Sequence, residues 1–218
     1  MKKVYLTTLL ILSMVCTINA QEIKIGAKTG LNLASITGDD VDVSMRPSFH
    51  IGGMAEIPVS AEFYVQPELL FSSQGYKVKD NDAVGILNYI ALPVIGKYYV
   101  TDKLSIEAGP QIGYLLSANI KTDDSPAPNT GGGNVETAAK ASNTKASSAS
   151  TASSAQKQDI KEYFKSIDLA FGIGAGYKLD NGINLSARYN LGVSNISEDS
   201  SESIKNSVFM LSVGYFFW

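Results

Sequence analysis

The sequence predicts an all-β fold, an eight-stranded antiparallel up-and-down transmembrane β-barrel with short periplasmic turns and long outer loops. Three observations predict it. Apolar and polar residues alternate in about eight segments, short and long connections alternate between those segments, and aromatic residues gather at both ends of the apolar faces. The chain has 218 residues, which is enough for one such domain.

The first twenty residues differ from the rest of the chain. Lys2 and Lys3 precede an apolar run from Val4 to Cys16, and the small residue Ala20 stands at the end of this region. This layout is typical of a secretory signal peptide, and the run is too short to span a bilayer as a helix. We therefore expect a signal peptide at residues 1–20 and a barrel at residues 21–218. The mature chain then contains no cysteine, so it has no disulfide to stabilise it.

The alternation is clearest from Ile167 to Leu179, where every second residue is apolar and the residues between are mainly glycine or charged. Two other segments, the fourth and the eighth, are apolar on both faces, so the pattern does not show which of their residues point into the barrel. The eight predicted strands are Glu22 to Ala34, Ser48 to Ile57, Glu62 to Gln74, Ile86 to Val100, Leu104 to Ala118, Ile167 to Leu179, Ile183 to Leu191 and Val208 to Trp218.

The connections alternate in length. Residues 58–61, 101–103 and 180–182 form short links, whereas residues 35–47, 75–85, 119–162 and 192–206 form long ones. The link at 119–162 is a low-complexity segment rich in Ala, Ser and Thr, which has too few large apolar side chains to form a packed core. It is either a tolerated insertion or a surface loop that bears glycans or binds a partner.

The aromatic residues on the apolar faces form two groups, as expected where a barrel meets the two membrane interfaces. Strand parity alone does not say which face is inside, so a soluble lipocalin-like barrel is the alternative. Phe63, Tyr98, Tyr177 and Phe217 lie toward the short turns, and Phe49, Phe71, Tyr114, Tyr189 and Phe209 lie toward the long loops.

The charge balance argues against nucleic-acid binding. Of the 18 basic residues, Lys2 and Lys3 belong to the predicted signal peptide, which leaves 16 against 21 acidic residues. No basic cluster is present in the mature chain.

If the apolar faces contact lipid, the polar faces line a lumen that eight strands make just wide enough for side chains to fill. Charges in such a lumen must pair, so a salt-bridged plug is the main interpretation, and a narrow solute channel or a small-ligand pocket is the alternative. Glycines on the same faces leave room for the long charged side chains opposite. The candidate lumen charge network consists of Lys28, Glu56, Glu68, Glu107, Asp168, Lys178 and Arg188.

Catalytic, cofactor and metal sites find little support. His50 is the only histidine, and although Ser48 shares its face, no third orienting group is evident in the sequence. A lipid-modifying enzyme is thus a minor alternative. We assign no catalytic, cofactor-binding or metal-binding residue; loop aspartates such as Asp39 and Asp80 are a weak calcium alternative.

Several motifs resemble those of the PorT-like outer-membrane β-barrel family of Bacteroidetes, which is related in architecture to OmpA- and OmpX-type barrels. The resemblance implies a barrel fold and an aromatic terminal strand that the barrel-assembly machinery reads; it implies no specific activity. The motifs are Gly26 to Asn32, Gln66 to Phe71, Leu92 to Tyr98, Gly109 to Tyr114 and Val213 to Trp218.

The expected function is therefore that of a small outer-membrane barrel of structural or surface-interaction type. Its expected contacts are outer-membrane lipid, the barrel-assembly machinery during insertion and a surface partner through the outer loops. We expect a monomer.

Overall fold

The computed structural model describes residues 23–38, 43–78, 83–122, 156–199 and 203–217. The predicted signal peptide, the loop aspartates and most of the low-complexity segment lie outside these ranges. Among the described residues, no helix is both long and apolar enough to cross a membrane. The strands are β1 Lys24–Thr37, β2 Val43–Pro58, β3 Phe63–Val78, β4 Val84–Tyr99, β5 Leu104–Thr122, β6 Gln156–Asp159, β7 Ile167–Lys178, β8 Ile183–Gly192 and β9 Lys205–Phe216.

Eight of these strands close into a barrel, which confirms the predicted fold class. Consecutive strands pair antiparallel around the ring, and β9 returns to pair with β1. The ring order is β1, β2, β3, β4, β5, β7, β8, β9, with β4 pairing with β5 to complete the circle. Closure leaves no free edge within the barrel, so each of its eight strands has a hydrogen-bonded neighbour on both sides.

The side chains alternate as the sequence predicts, with apolar residues outside. Along β7 the exposed residues are Ile167 and every second residue after it, and Asp168 faces the interior. All nine aromatic residues of the two predicted groups face outward; seven are exposed, and Phe71 and Phe209 are half-buried. The two strands whose facing the sequence left open also alternate, with Tyr98 and Phe217 outside and Lys97 and Phe216 inside.

The strands extend further at the loop end than the sequence predicts. β1 ends at Thr37 and β2 begins at Val43, so much of the predicted first long loop is strand. The same holds for the second, since β3 continues to Val78 and β4 begins at Val84. At the third, β5 extends to Thr122 and pairs with β6, so both ends of the predicted 119–162 loop form a hairpin stem. The strands therefore rise beyond the outer aromatic group.

An outer cap, which we define as residues 160–166 and 193–199, closes the loop end of the lumen. Its two segments join through backbone bonds: Lys165 donates to the carbonyl of Ile196 at 2.8 Å, and Glu198 donates to that of Tyr163 at 3.1 Å. Under the cap lies an apolar cluster that the alternation did not predict. It consists of Ile36, Leu87, Tyr89, Leu115, Ala118, Ile160 and Ile196.

The lipid-facing assignment of the outer surface can be tested at Val213, which faces outward, is 50% exposed and lies midway along the chain between the aromatic residues Phe209 and Phe217. Val213→Arg is expected to lower the free energy of unfolding by about 2–4 kcal/mol in a bilayer, because it places a charge at mid-depth in hydrocarbon. The measurement is urea unfolding of the mature barrel in phospholipid vesicles.

The matched control is Val59→Arg in the first short turn, where the side chain is equally exposed and outside the apolar band. It should leave unfolding nearly unchanged. An equal loss of stability at both positions would contradict a lipid-facing Val213.

Candidate functional site

The interior of the barrel holds charged and amide side chains that are almost inaccessible to solvent. Six of the seven residues of the predicted lumen network meet there in ion pairs, and the seventh, Asp168, lies apart from them. Leu70, Met210 and their neighbours form a small apolar cluster on the same inner faces, so the lumen is not wholly polar.

Two ion pairs cross the full width of the lumen. Arg188 on β8 forms a bidentate pair with Glu68 on β3, at 2.9 and 3.1 Å. Lys178 on β7 donates to Glu56 on β2 at 3.0 Å. In the ring of eight strands, β3 and β8 are four positions apart, and so are β2 and β7. Each pair therefore joins strands that lie opposite one another, which only a narrow barrel permits.

Other pairs connect these two into one network. Lys28 on β1 donates to Glu68 at 3.0 Å, and Arg188 also donates to Glu107 on β5 at 3.0 Å. A buried carboxylate oxygen that accepts too few hydrogen bonds raises the free energy of the folded state. Donors that are shared between carboxylates are therefore favoured. The network includes residues from seven of the eight barrel strands, all except β9.

Lys97 completes the network and was missed by the sequence analysis. Its ammonium lies 3.0 Å from Glu56 and 3.5 Å from Glu107, and it also donates to Gln66 at 3.2 Å. The side chain is fully buried. Tyr99, on the same face of β4, donates to Glu56 at 2.8 Å. The fourth predicted strand is apolar on both faces, but the outward position of its Tyr98 implies that residues 97 and 99 point inward.

Glycines make room for this network, as the sequence predicts. A β-carbon at Gly176 would lie 2.6 Å from Glu107 Oε1, and one at Gly172 would lie 3.0 Å from Arg188 Cδ. Any side chain at either position would displace an ion-paired group. The glycines of β7 are thus part of the charge site.

His50 takes part in a second set of buried contacts. Its Nδ1 lies 2.7 Å from Asn32 Oδ1, and its Nε2 lies 3.0 Å from Ser212 Oγ. Ser48, its predicted neighbour, instead donates to the carbonyl of Ser73. A serine, a histidine and an orienting amide in this order resemble a nucleophilic triad. In this structure, however, His50 is completely buried and Ser212 nearly so.

Metal-binding groups of three or more His, Cys, Asp or Glu side chains do not occur in the described part of the chain.

A vestibule opens at the turn end of the lumen, with a cavity of about 470 Å³ lined by residues that include Lys24, Lys178 and Phe216. Lys178 lies at the inner end of the vestibule, with its ammonium 5.3 Å from the centre of the Phe216 ring. The ion pair between Lys178 and Glu56 separates the vestibule from the rest of the lumen. At the rim, Lys103 binds Asp180 at 2.6 Å, and this contact raises the pKa of Lys103. The cavity therefore ends at the charge network.

Substitution of Glu68 tests whether the network stabilises the barrel. Glu68→Gln keeps the shape of the side chain but leaves Arg188 and Lys28 without their shared carboxylate. We expect a loss of about 3–5 kcal/mol in the free energy of unfolding, the range for breaking one side of a buried ion pair. Urea unfolding of the refolded barrel in detergent measures it.

Glu62→Gln is the matched control, because Glu62 is exposed and its carboxylate accepts a hydrogen bond from the exposed Tyr98 hydroxyl. Its urea midpoint should stay close to that of the unchanged protein. Equal midpoints for both variants would show that the buried pairs contribute no more than a surface contact.

Several solved structures are similar to this chain. The crystal structure of Ail, the attachment invasion locus protein of Yersinia pestis, is 13% identical and superposes with a TM-score of 0.50 over 90% of this chain and 100% of that one. Neisserial surface protein A is 12% identical, with a TM-score of 0.47 over 89% and 97% of the two chains. The N-terminal barrel domain of Pseudomonas aeruginosa OprF is 11% identical, with a TM-score of 0.41 over 90% and 100%. At these identities the likeness concerns the fold alone.

No curated protein matches the sequence. A family model does: the one described as outer membrane protein beta-barrel domain matches residues 19–198, which is most of the chain. The closed eight-stranded ring, the outward apolar band with two aromatic groups and the filled polar lumen are what such a domain requires. The chain therefore belongs to the outer membrane protein beta-barrel domain family, and it is a small outer-membrane barrel protein.

Proposed function

We propose that this protein is a closed membrane anchor that holds its outer rim in place for contact with a partner outside the cell. The observation that carries the proposal is the pair of ion bridges across the whole lumen, Arg188 to Glu68 and Lys178 to Glu56. A barrel held shut by its own side chains has no path for a solute, so its function lies on its surfaces.

The filled lumen also argues against a channel. An ion entering from the turn end meets Lys178 and then the buried groups of the network, whose pairs it would have to break. At the other end, the outer cap and its apolar cluster cover the opening. At both barriers a permeating ion would have to lose its hydration shell. A permeation path must avoid that energetic cost.

The enclosed Ser212 and His50 support the proposal that the protein is not an enzyme. Their hydrogen bonds would suit nucleophilic attack, but both side chains lie inside the sealed lumen, away from lipid and from either opening. A lipid-modifying enzyme needs such groups where an acyl chain can reach them.

The outer rim is the surface that we propose binds a partner. β3 continues seven residues beyond Phe71, and β5 continues eight beyond Tyr114. At about 3.3 Å per residue, these extensions run roughly 25 Å along the strand past the outer aromatic group. The predicted 119–162 segment includes this hairpin stem, and in the proposed anchor it projects outside the membrane.

The remaining assignments complete the proposal. Outer-membrane lipid surrounds the apolar band, and the protein works as a monomer that the barrel-assembly machinery inserts after a signal peptide at residues 1–20 is removed. The motifs at residues 26–32 and 213–218 support placement in the PorT-like group of Bacteroidetes barrels.

Cysteine reactivity tests whether the lumen is closed. The only cysteine, Cys16, lies in the predicted signal peptide, so the mature chain offers a background without thiols. Ser212→Cys places one thiol in the lumen, and Ser60→Cys places one in the exposed first turn. In the folded barrel, a charged methanethiosulfonate should modify residue 60 at least about 100-fold faster than residue 212, because a thiol reacts only where the reagent gains access.

Unfolding in urea should make the two rates equal, which shows that position 212 is reactive once exposed. Fast modification of Ser212→Cys in the folded barrel, or steady single-channel conductance of the unchanged protein in planar bilayers, would overturn the closed anchor.

A further inference from the structure

Asp168 is a buried carboxylate that the ion network does not include. It lies on the inner face of β7, below the outer cap, and is 4% exposed. Within the described ranges, no lysine, arginine or histidine nitrogen comes within ion-pair distance of it. Burying an unpaired negative charge is costly, so the site calls for a positive partner.

The contacts that Asp168 does make are weak ones. Asn206 Nδ2 donates to Oδ2 at 3.3 Å, and Ser194 Oγ donates to Oδ1 at 3.3 Å. Donors to an ionised carboxylate usually approach to about 2.7–2.9 Å. The carboxylate oxygens therefore keep lone pairs that these two long bonds do not fill.

Two further oxygens on residues near Asp168 lack partners. Tyr89 Oη and Asn206 Oδ1 are buried and accept or donate no hydrogen bond among the described residues. The amide nitrogen of Asn206 is already shared between Asp168 and Gln74, which fixes the amide next to the carboxylate. Tyr89 Oη on β4 and Asn206 Oδ1 on β9 thus have no partner among the described residues, and Asp168 on β7 has only two long hydrogen bonds.

Gly113 brings two of these groups together. A β-carbon at this position would lie 3.3 Å from the Tyr89 ring and 3.6 Å from the β-carbon of Asp168. The absence of a side chain at Gly113 leaves room on β5 for the Tyr89 ring and for Asp168, which lie on the two neighbouring strands. Hard cations prefer donor sets of this kind, composed only of oxygen.

We propose that Asp168, Tyr89 and Asn206 bind a sodium ion below the outer cap. One carboxylate balances one positive charge, so a monovalent ion leaves the enclosed site neutral. Calcium and magnesium carry a second charge that this single carboxylate leaves uncompensated in a buried place.

The ion would stabilise the closure of the outer end. Ser194, which donates to Asp168, belongs to the outer cap, and Tyr89 belongs to the apolar cluster under the cap. A cation held between them joins β4, β7 and β9 to the cap segment. Sodium binding would thus keep the loop end of the barrel shut.

The test compares unfolding rates of the mature barrel in detergent at one ionic strength, in sodium chloride and in N-methyl-D-glucamine chloride, whose cation is too large for the site. The folded band on unheated gels reports the fraction remaining. We expect about tenfold slower unfolding in sodium, as for a ligand near ten times its dissociation constant that binds only the folded state. Asp168→Asn should abolish this difference.

Two variants make the result specific. Glu162→Gln removes one exposed negative charge from the cap and should keep the full sodium effect. Tyr89→Phe removes only the phenolic oxygen and should reduce the effect several-fold. Equal unfolding rates of the unchanged protein in the two salts, or a sodium effect that persists in Asp168→Asn, would overturn the proposal and leave a proton or water as the occupant.

Discussion

The narrow width of an eight-stranded barrel is the constraint on which the rest of this structure depends. A lumen of this size has room for side chains but not for bulk water, so each charge placed there must find an opposite charge within reach. Arg188 and Lys178 meet that requirement by extending across the lumen to carboxylates on the opposite strands. These bridges fill the interior, and they also link strands that share no backbone hydrogen bond.

The same constraint accounts for the composition of the inner faces. A long arginine can lie across the lumen only if the neighbouring strand carries no side chain beside it, and β7 supplies Gly172 there. Gly176 on the same strand leaves room for Glu107. At the outer end, where the strands rise past the membrane, the charges give way to an apolar cluster and a cap. The barrel is therefore closed by ion pairs in its middle and by apolar packing at its outer mouth.

Most of the fold could be predicted because strand parity sorts residues between lipid and lumen. The alternation of side chains along each strand was enough to place six of the network charges in the lumen. It did not identify Lys97, because the strand that carries Lys97 is apolar on both faces. Parity could not predict which charges pair, and Asp168 lies too near the outer end to reach the others. The cap was also not predicted, because Ile160 and Ile196 lie in irregular segments without a repeating pattern.

The most direct test of the central role of the spanning pairs is a double-mutant cycle on Arg188 and Glu68, each replaced by Met, with the free energy of unfolding measured in urea. The two side chains form a bidentate contact at 2.9 and 3.1 Å. We predict that each single variant is strongly destabilised and that the double variant loses about 1–3 kcal/mol less than the sum of the two single losses. Losses that add to within about 0.5 kcal/mol would contradict a barrel held closed by these pairs.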